Sequence, residues 1–462
     1  MTTSAGSAAD VAARLERLPA SRTVWGLIVL ISLGGCFEYY DLFMTAYVSP
    51  GLIADGVFRA DKGLFGLTDQ AGFAAATFAG LFIGALAFSQ LADRLGRRAI
   101  FTWSLIWYSA GAVAMACQST ALGIDLCRLI SSIGIGVELV TIDSYLVEFA
   151  PRRARGRVLA ISQFIQFLAV PLVAFVCWAL LPHHPFGLAG WRWVMLGGSA
   201  GAVAVWAIRA GLPESPRWLA THGRAEAADR VVRRIEAKVA AETGVPLPPA
   251  LPSPVGESGR GRFVELFRRP FLGLTLMLSV FNIAQAIGFY GFGNWLPSLL
   301  AAQGASVTKS LLWSFTIAFA NPAGALLWAS LADRVERKWQ IIAAAGAVAA
   351  FGLVFAHQTA PAALIALGVL ITLSNSLLSI AFHAYQAELY PTRIRARGVG
   401  FVYAWSRLST VFSSFMIAFF LREFGAGGVF AFIAAAMAVV VLVIAAFGPR
   451  TRQLALEDIS GS

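Results

Sequence analysis

The apolar residues of this chain gather into twelve runs of 20 to 27 residues, at 24–48, 71–92, 98–117, 121–143, 157–181, 190–211, 271–297, 308–332, 338–357, 362–387, 397–421 and 427–448. Coiled as a helix at about 1.5 Å per residue, even the shortest reaches the roughly 30 Å of a bilayer's hydrocarbon core. Of all 462 residues, 13% are charged and 58% are hydrophobic, whereas an ordinary soluble domain is about 25% charged. There is too little polar surface to coat several water-soluble domains, and too much aromatic and aliphatic side chain for disorder. The runs therefore predict an all-α membrane protein with twelve transmembrane helices. The first run is too long for a cleaved signal peptide and is read as a retained span.

Residues 212–270 interrupt the pattern with charge, one amphipathic helix (Arg224 to Ala240) and a stretch rich in Pro, Gly and Ser. The chain divides accordingly into a tail (1–23), a six-helix bundle (24–211), a linker (212–270), a second six-helix bundle (271–448) and a second tail (449–462). The net charge of +11 is spread over short loops rather than gathered in one domain, so it argues for membrane orientation and against nucleic acid. Of the 36 Lys and Arg residues, 28 lie in the tails, the linker and the loops joining even to odd helices. The positive-inside rule puts both termini and the linker in the cytoplasm, with the helices in the cell (inner) membrane.

The two bundles repeat. Leu91-Ala92-Asp93-Arg94 returns 240 residues later as Leu331-Ala332-Asp333-Arg334, and Tyr145, Glu148, Pro151 and Arg155 return as Tyr385, Glu388, Pro391 and Arg395. Parallel repeats of this kind suit a rocking carrier that holds its substrate between halves. Asp93, Arg94, Arg97 and Arg98 put a carboxylate and three cations at a helix junction, where they can pair with a neighbouring helix end in one state and release it in another.

These motifs are similar to those of the major facilitator superfamily, in its sugar-porter and organic-ion branch. The Asp93 turn resembles the superfamily signature, with Ser89 in place of the leading glycine. Arg128-x5-Gly134-x-Gly136, Pro213-Glu214-Ser215-Pro216-Arg217-Trp218-Leu219 and Glu388-Leu389-Tyr390-Pro391-Thr392-x2-Arg395 resemble the branch's remaining motifs. The resemblance implies a fold of two six-helix repeats and a gate at the cytoplasmic face built from Asp93, Arg94, Arg97, Arg98, Glu148, Arg155, Glu214, Arg217, Asp333, Arg334, Glu388 and Arg395. It does not fix the substrate.

Substrate and coupling must be read from ionisable and polar residues inside the spans. Glu38 and Asp41 share one face of the first helix. Asp41 and Arg128 each lie about 10 Å from the outer end of their helices, so they can pair. The resemblance implies that Asp41 carries a coupling proton beside Arg128, with Glu38 an addition to the usual pattern. A carboxylate facing an arginine has a lowered pKa, and desolvation raises it, so a conformational change can load and release a proton. Arg407 falls about 15 Å deep in the eleventh helix, where a guanidinium can fork onto a carboxylate; an internal pairing with Glu38 would satisfy it equally. Gln163, Gln166, Gln285, Tyr290, Asn294, Asn375 and Tyr40 complete the candidate substrate contacts. Only part of the sugar porters' helix-seven pattern is present, because Ala284 replaces its second glutamine.

Together these features predict a proton-driven symporter for a small organic anion such as an aromatic carboxylate, working as a monomer. A sugar or polyol symporter is the alternative. Further off are a drug:proton antiporter, for which Leu168-Ala169-Val170-Pro171-Leu172 lacks the exporters' Gly-Pro-rich pattern, and a non-transporting receptor. Cys36, Cys117, Cys127 and Cys177 have neither zinc nor redox spacing. No nucleophile motif, metal-ligand cluster or phosphate loop is present in the sequence, so neither an enzyme, a metal nor a cofactor is expected.

Overall fold

A computed structural model of the chain describes residues 3–61, 63–151, 155–209, 212–250, 262–331, 335–391 and 394–451. The helices are α1 (Thr3–Glu16), α2 (Arg22–Ala54), α3 (Asp69–Leu95), α4 (Arg97–Ala116), α5 (Ala121–Phe149), α6 (Arg155–Phe167), α7 (Ala169–Leu180), α8 (Gly190–Arg209), α9 (Pro216–Thr221), α10 (Ala225–Thr243), α11 (Phe271–Gly293), α12 (Leu296–Ala302), α13 (Val307–Ala318), α14 (Ala320–Leu331), α15 (Arg337–Ala356), α16 (Pro361–Leu389) and α17 (Arg395–Phe447). Each of the twelve apolar runs falls on this framework, the last two within α17, which breaks at Gly425 with φ of 63°.

Several helices outrun their apolar segments. α2 begins at a Ser21 cap and continues to Ala54, and α5 begins at a Thr120 cap and continues to Phe149. Hydrophobicity marks where a helix meets lipid, but the helix ends where a side chain or backbone bond satisfies its last groups. The fifth and eighth runs are each split in two. Pro171 has no N–H for the carbonyl of Phe167, where α6 ends, and Pro322 has none for Ala318, where α13 ends. These two broken helices pack on one another across the bundles, α6 on α14 and α7 on α13.

Glycines set the closest approach within the first bundle. A Cβ on Gly80 would meet the Leu129 carbonyl oxygen at 2.5 Å, one on Gly84 the Ile133 oxygen at 2.2 Å, and one on Gly136 the Leu81 oxygen at 2.4 Å. Bare backbone on both sides thus lets α3 lie against α5. Gly134 of the same motif makes room for the Trp107 ring. The linker is not a loose tether where it is described. α10 buries Ala228, Val232, Ile235 and Val239, and α1 packs on α9 and α10 through Val11 and Leu15. The first part of the tail, α1, is therefore a docked helix.

The bundles close on each other at the end away from the tails. Ser298 Oγ donates to Gln70 Oε1 at 2.8 Å, Arg422 Nη1 donates to the Gly66 carbonyl at 2.7 Å, and Phe65 sits edge-on to Phe415 with ring centres 5.4 Å apart.

Candidate functional site

The close approach of α3 and α5 puts Thr77, one turn from Gly80, beside Arg128. Arg128 is wholly buried and Asp41 is 5% exposed. Arg128 Nη1 donates to Asp41 Oδ2 at 2.6 Å, Nη2 to the Asp41 carbonyl at 2.8 Å and Nε to Thr77 Oγ1 at 2.8 Å. Thr77 also bonds the Phe73 carbonyl at 2.9 Å and lies 3.3 Å from Thr45 Oγ1, and the Phe73 ring faces the guanidinium at 5.7 Å. All three nitrogens of the guanidinium are thus satisfied in a dry pocket joining the second, first and fourth spans. The structure brings Asp41 and Arg128 together as their equal depth implies. Glu38, 1% exposed, lies one turn away on α2.

Arg407 occupies the other bundle and is 8% exposed. Its Nη1 donates to Tyr290 Oη at 2.8 Å and its Nη2 to Tyr403 Oη at 3.4 Å, and it lies 5.7 and 5.2 Å from the centres of those two rings. Its hydrogen bonds thus run to phenols rather than to Glu38. Tyr290 in turn packs edge-on to Phe289 at 5.0 Å and to Phe78 of the first bundle at 4.6 Å. The rings around Arg407 thus come from both bundles. Beyond Phe289 lies a small cavity between the bundles, lined in part by Phe43, Tyr47, Asn321, Thr372 and Asn375, with about 30 Å³ open to a water-sized sphere. That volume has room for about two waters.

The remaining candidates divide between cavity and packing. Asn375 faces the cavity, with its Oδ1 buried and without a hydrogen-bond partner among the described residues, and Gln285 is buried on α11 one turn from Asn282. Gln163 reaches Tyr39 Oη at 3.5 Å. Gln166 instead bonds Ser162 at 2.9 Å and fills the space over Gly35. Asn294 closes the end of α11. Tyr40 donates to the Val194 carbonyl at 3.2 Å and packs over Gly198, so it joins helices within one bundle rather than facing Arg407. Sequence reading passed over Thr77, Tyr403 and Glu138. Glu138 is a fully buried acid on α5 that accepts from Ser104 Oγ at 3.2 Å; its signal, a carboxylate within an apolar run, stood in plain view.

At the face bearing the tails, the repeat is visible as chemistry. Arg97 lies 3.6 Å from Glu148, and its counterpart Arg337 lies 3.3 Å from Glu388. Tyr145 donates to the Pro213 carbonyl where the first bundle ends, and Tyr385 to the Pro449 carbonyl where the second ends. Glu214 accepts from the Arg98 backbone N–H at 3.2 Å, an acidic group at the positive end of α4. Gly96, with φ of 99°, makes this possible, because a Cβ there would lie 2.6 Å from Glu214 Oε2. Arg217 pairs with Glu16 at 3.1 Å, Arg395 Nε donates to the Tyr390 carbonyl at 3.0 Å, and Arg94 is exposed. The partners named here lie within the same bundle, at the start of the linker or on the docked tail. Asp333, Arg334 and the side chains of Asp93 and Arg155 lie outside the described residues.

The chain is similar to known proteins over nearly its whole length. The chain is 31% identical over 444 residues to the metabolite transport protein YyaJ of Bacillus subtilis, covering 96% of each. It is 27% identical to the niacin transporter NiaP of Acinetobacter baylyi, covering 97% of this chain and 99% of that one. The fold superposes on a partially occluded, inward-open xylose transporter XylE from E. coli with a TM-score of 0.76, at 20% identity over 94% of this chain and all of that one. A family model described as sugar (and other) transporter matches residues 27–461. Paired six-helix bundles, the charged turns and these matches agree: the chain belongs to the sugar-porter-type family of major facilitator membrane transporters.

Proposed function

We propose that this carrier is a proton-coupled symporter that takes up a small organic carboxylate, aromatic in its preferred form, by alternating access. The observation that carries the reading is Arg407, a buried cation whose described acceptors are neutral phenols. A lone guanidinium at this depth is costly unless its function is to receive an anion. The flanking Tyr290, Phe289 and Phe78 rings favour a flat substrate. Similarity to a niacin transporter supports the same chemistry, since niacin is a small aromatic carboxylate.

Coupling falls to Asp41. In this reading helix movement makes and breaks its bond to Arg128, and a proton exchanges when the pair is open. Binding of a proton on one face and re-pairing on the other would tie proton flux to substrate flux. In this reading both tails and the linker face the cytoplasm, the protein acts as a monomer in the cell membrane, and it catalyses no covalent step. A sugar or polyol substrate is the second reading, favoured by the buried amides Gln285 and Asn375 and by the fold shared with a xylose transporter.

Uptake into proteoliposomes under an imposed pH gradient decides between them. The wild type should concentrate nicotinate or benzoate and ignore nicotinamide and xylose. Asp41→Asn, a fixed mimic of the protonated acid, should exchange nicotinate across the membrane but fail to concentrate it. Equal uptake of nicotinate and its amide would remove the anion reading. Uphill uptake by Asp41→Asn would remove the coupling role.

A further inference from the structure

The two groups that hold Arg407 sit differently in the molecule. Tyr403 is one turn earlier on α17 and moves with the arginine, whereas Tyr290 belongs to α11 and touches Phe78 across the bundle boundary. The oxygens of the two phenols take the bonds of Nη1 and Nη2, the same terminal nitrogens that a bidentate carboxylate engages. A phenol oxygen satisfies a donor without bringing charge, so a carboxylate can displace it at a profit in charge-assisted bonding.

A symporter has a return step. After release, the carrier must close around its binding site again without substrate, and a guanidinium stripped of both water and acceptors opposes that closure. We propose that Tyr290 and Tyr403 stand in for the substrate carboxylate, accepting the hydrogen bonds of Arg407 whenever the unloaded carrier crosses between its two faces. The proposal rests on the anion reading above for its substrate, and on the arginine–phenol geometry for its mechanism. In the loaded carrier the carboxylate takes over, and the phenol hydroxyls are dispensable.

This separates two rates that a plain substrate contact would move together. The variant Tyr290→Phe/Tyr403→Phe keeps both rings, and with them the contact to Phe78, while deleting both acceptors. In proteoliposomes its net uptake of nicotinate should fall by about tenfold or more, because each cycle includes an unloaded return. Exchange of nicotinate for nicotinate, which never uses that step, should fall by at least about fivefold less than net uptake does. Equal loss of both rates would make the phenols substrate contacts, and unchanged net uptake would make them idle; either result overturns the proposal.

A second measurement needs no substrate. With the four cysteines replaced by serine and Ser298→Cys placed in the closed end, labelling by a membrane-impermeant maleimide reports how often that end opens. Loss of the phenol acceptors should speed labelling about fivefold or more, and adding Arg407→Gln, which removes the charge to be buried, should return it to the parent rate. No acceleration, or acceleration that Arg407→Gln leaves in place, overturns the stand-in role. A wild type that carries no carboxylate, yet shows this acceleration and reversal, would sink the anion symport reading alone.

Discussion

Arg128 and Arg407 are both buried arginines inside apolar helices, one in each bundle, and they are held by opposite means. Arg128 meets a carboxylate, a backbone carbonyl and a threonine hydroxyl, so its charge and all its donor nitrogens are answered from within. Arg407 meets two phenols, which answer donors and leave the charge uncompensated among the described residues. Burial of both side chains therefore carries unequal electrostatics. The first site is closed by its own residues; the second is one negative charge short among the described residues. A carrier that moves an anion with a proton needs one site of each kind, and it gains by keeping them in different bundles that move relative to each other.

The largest effect should come from breaking the closed site. Arg128→Leu leaves the Asp41 carboxylate buried without its partner, and removing one member of a buried pair costs about 3–5 kcal/mol. We expect poor membrane expression, a lower melting temperature and no transport. Next in size, Arg407→Lys should keep the protein folded but weaken carboxylate binding about tenfold, since an ammonium cannot reproduce the planar fork. Arg407→Ala should abolish binding altogether while the melting temperature holds. If Arg407→Ala destabilised the protein as severely as Arg128→Leu, the two arginines would share a structural role and the contrast would collapse.

Much of this contrast is legible in the sequence, for a physical reason. Charge inside a membrane is so costly that Asp41, Arg128 and Arg407 stand out against their apolar runs, and helix geometry supplies their depth. Equal depth was enough to match Asp41 with Arg128. What depth does not supply is azimuth, the direction a side chain takes around its helix. Tyr40 and Gln166 have the right chemistry and depth, yet they point into packing against α8 and over Gly35. Tyr403 was passed over because a tyrosine in an aromatic-rich span has no signal of its own until the fold sets it beside a guanidinium. Thr77 was hidden likewise: its place beside Arg128 depends on the backbone contact between α3 and α5 that Gly80, Gly84 and Gly136 permit.

Thr77 gives a finer test of how tightly the first site is closed. Thr77→Val preserves shape but strips the acceptor from Arg128 Nε, leaving one charged donor unsatisfied. The expected loss is about 1–3 kcal/mol of stability, with transport reduced but still coupled. Deleting the weaker 3.4 Å contact at the other arginine, with Tyr403→Phe alone, should cost less than this in melting temperature. A larger loss for Tyr403→Phe would mean that the second site is as tightly closed as the first.

A third arginine calibrates the pair from outside the membrane and should give the smallest effect. Arg14 of α1 bonds Asp229 at 2.7 Å and Glu236 at 2.6 Å on α10, and Arg17 adds a 2.7 Å bond to Glu236. It has full carboxylate partners, as Arg128 does, but it also has water. Partial burial pushes the Glu236 carboxyl upward, yet the bonds from Arg14 and Arg17 prevail and hold it below its ordinary 4.5; the bond from Arg14 likewise holds Asp229 low. A lowered carboxylate stabilises docking above its undocked pKa, and the contribution fades as pH falls through the docked value. Docking of α1 should therefore be constant from pH 8 down to about 4.5 and weaken below that. A spin label at Ala12→Cys should become more mobile by about pH 3, and Arg14→Met should make it mobile already at neutral pH. These part-buried pairs lie on the docked tail, away from Asp41 and Arg407, so transport by Arg14→Met should stay within about twofold of wild type. An immobile label in Arg14→Met would show that Val11 and Leu15 hold the helix without the charges. Loss of transport as complete as in Arg128→Leu would show that water access is not what separates these arginines, and the comparison would then have to rest on the carboxylate partner alone.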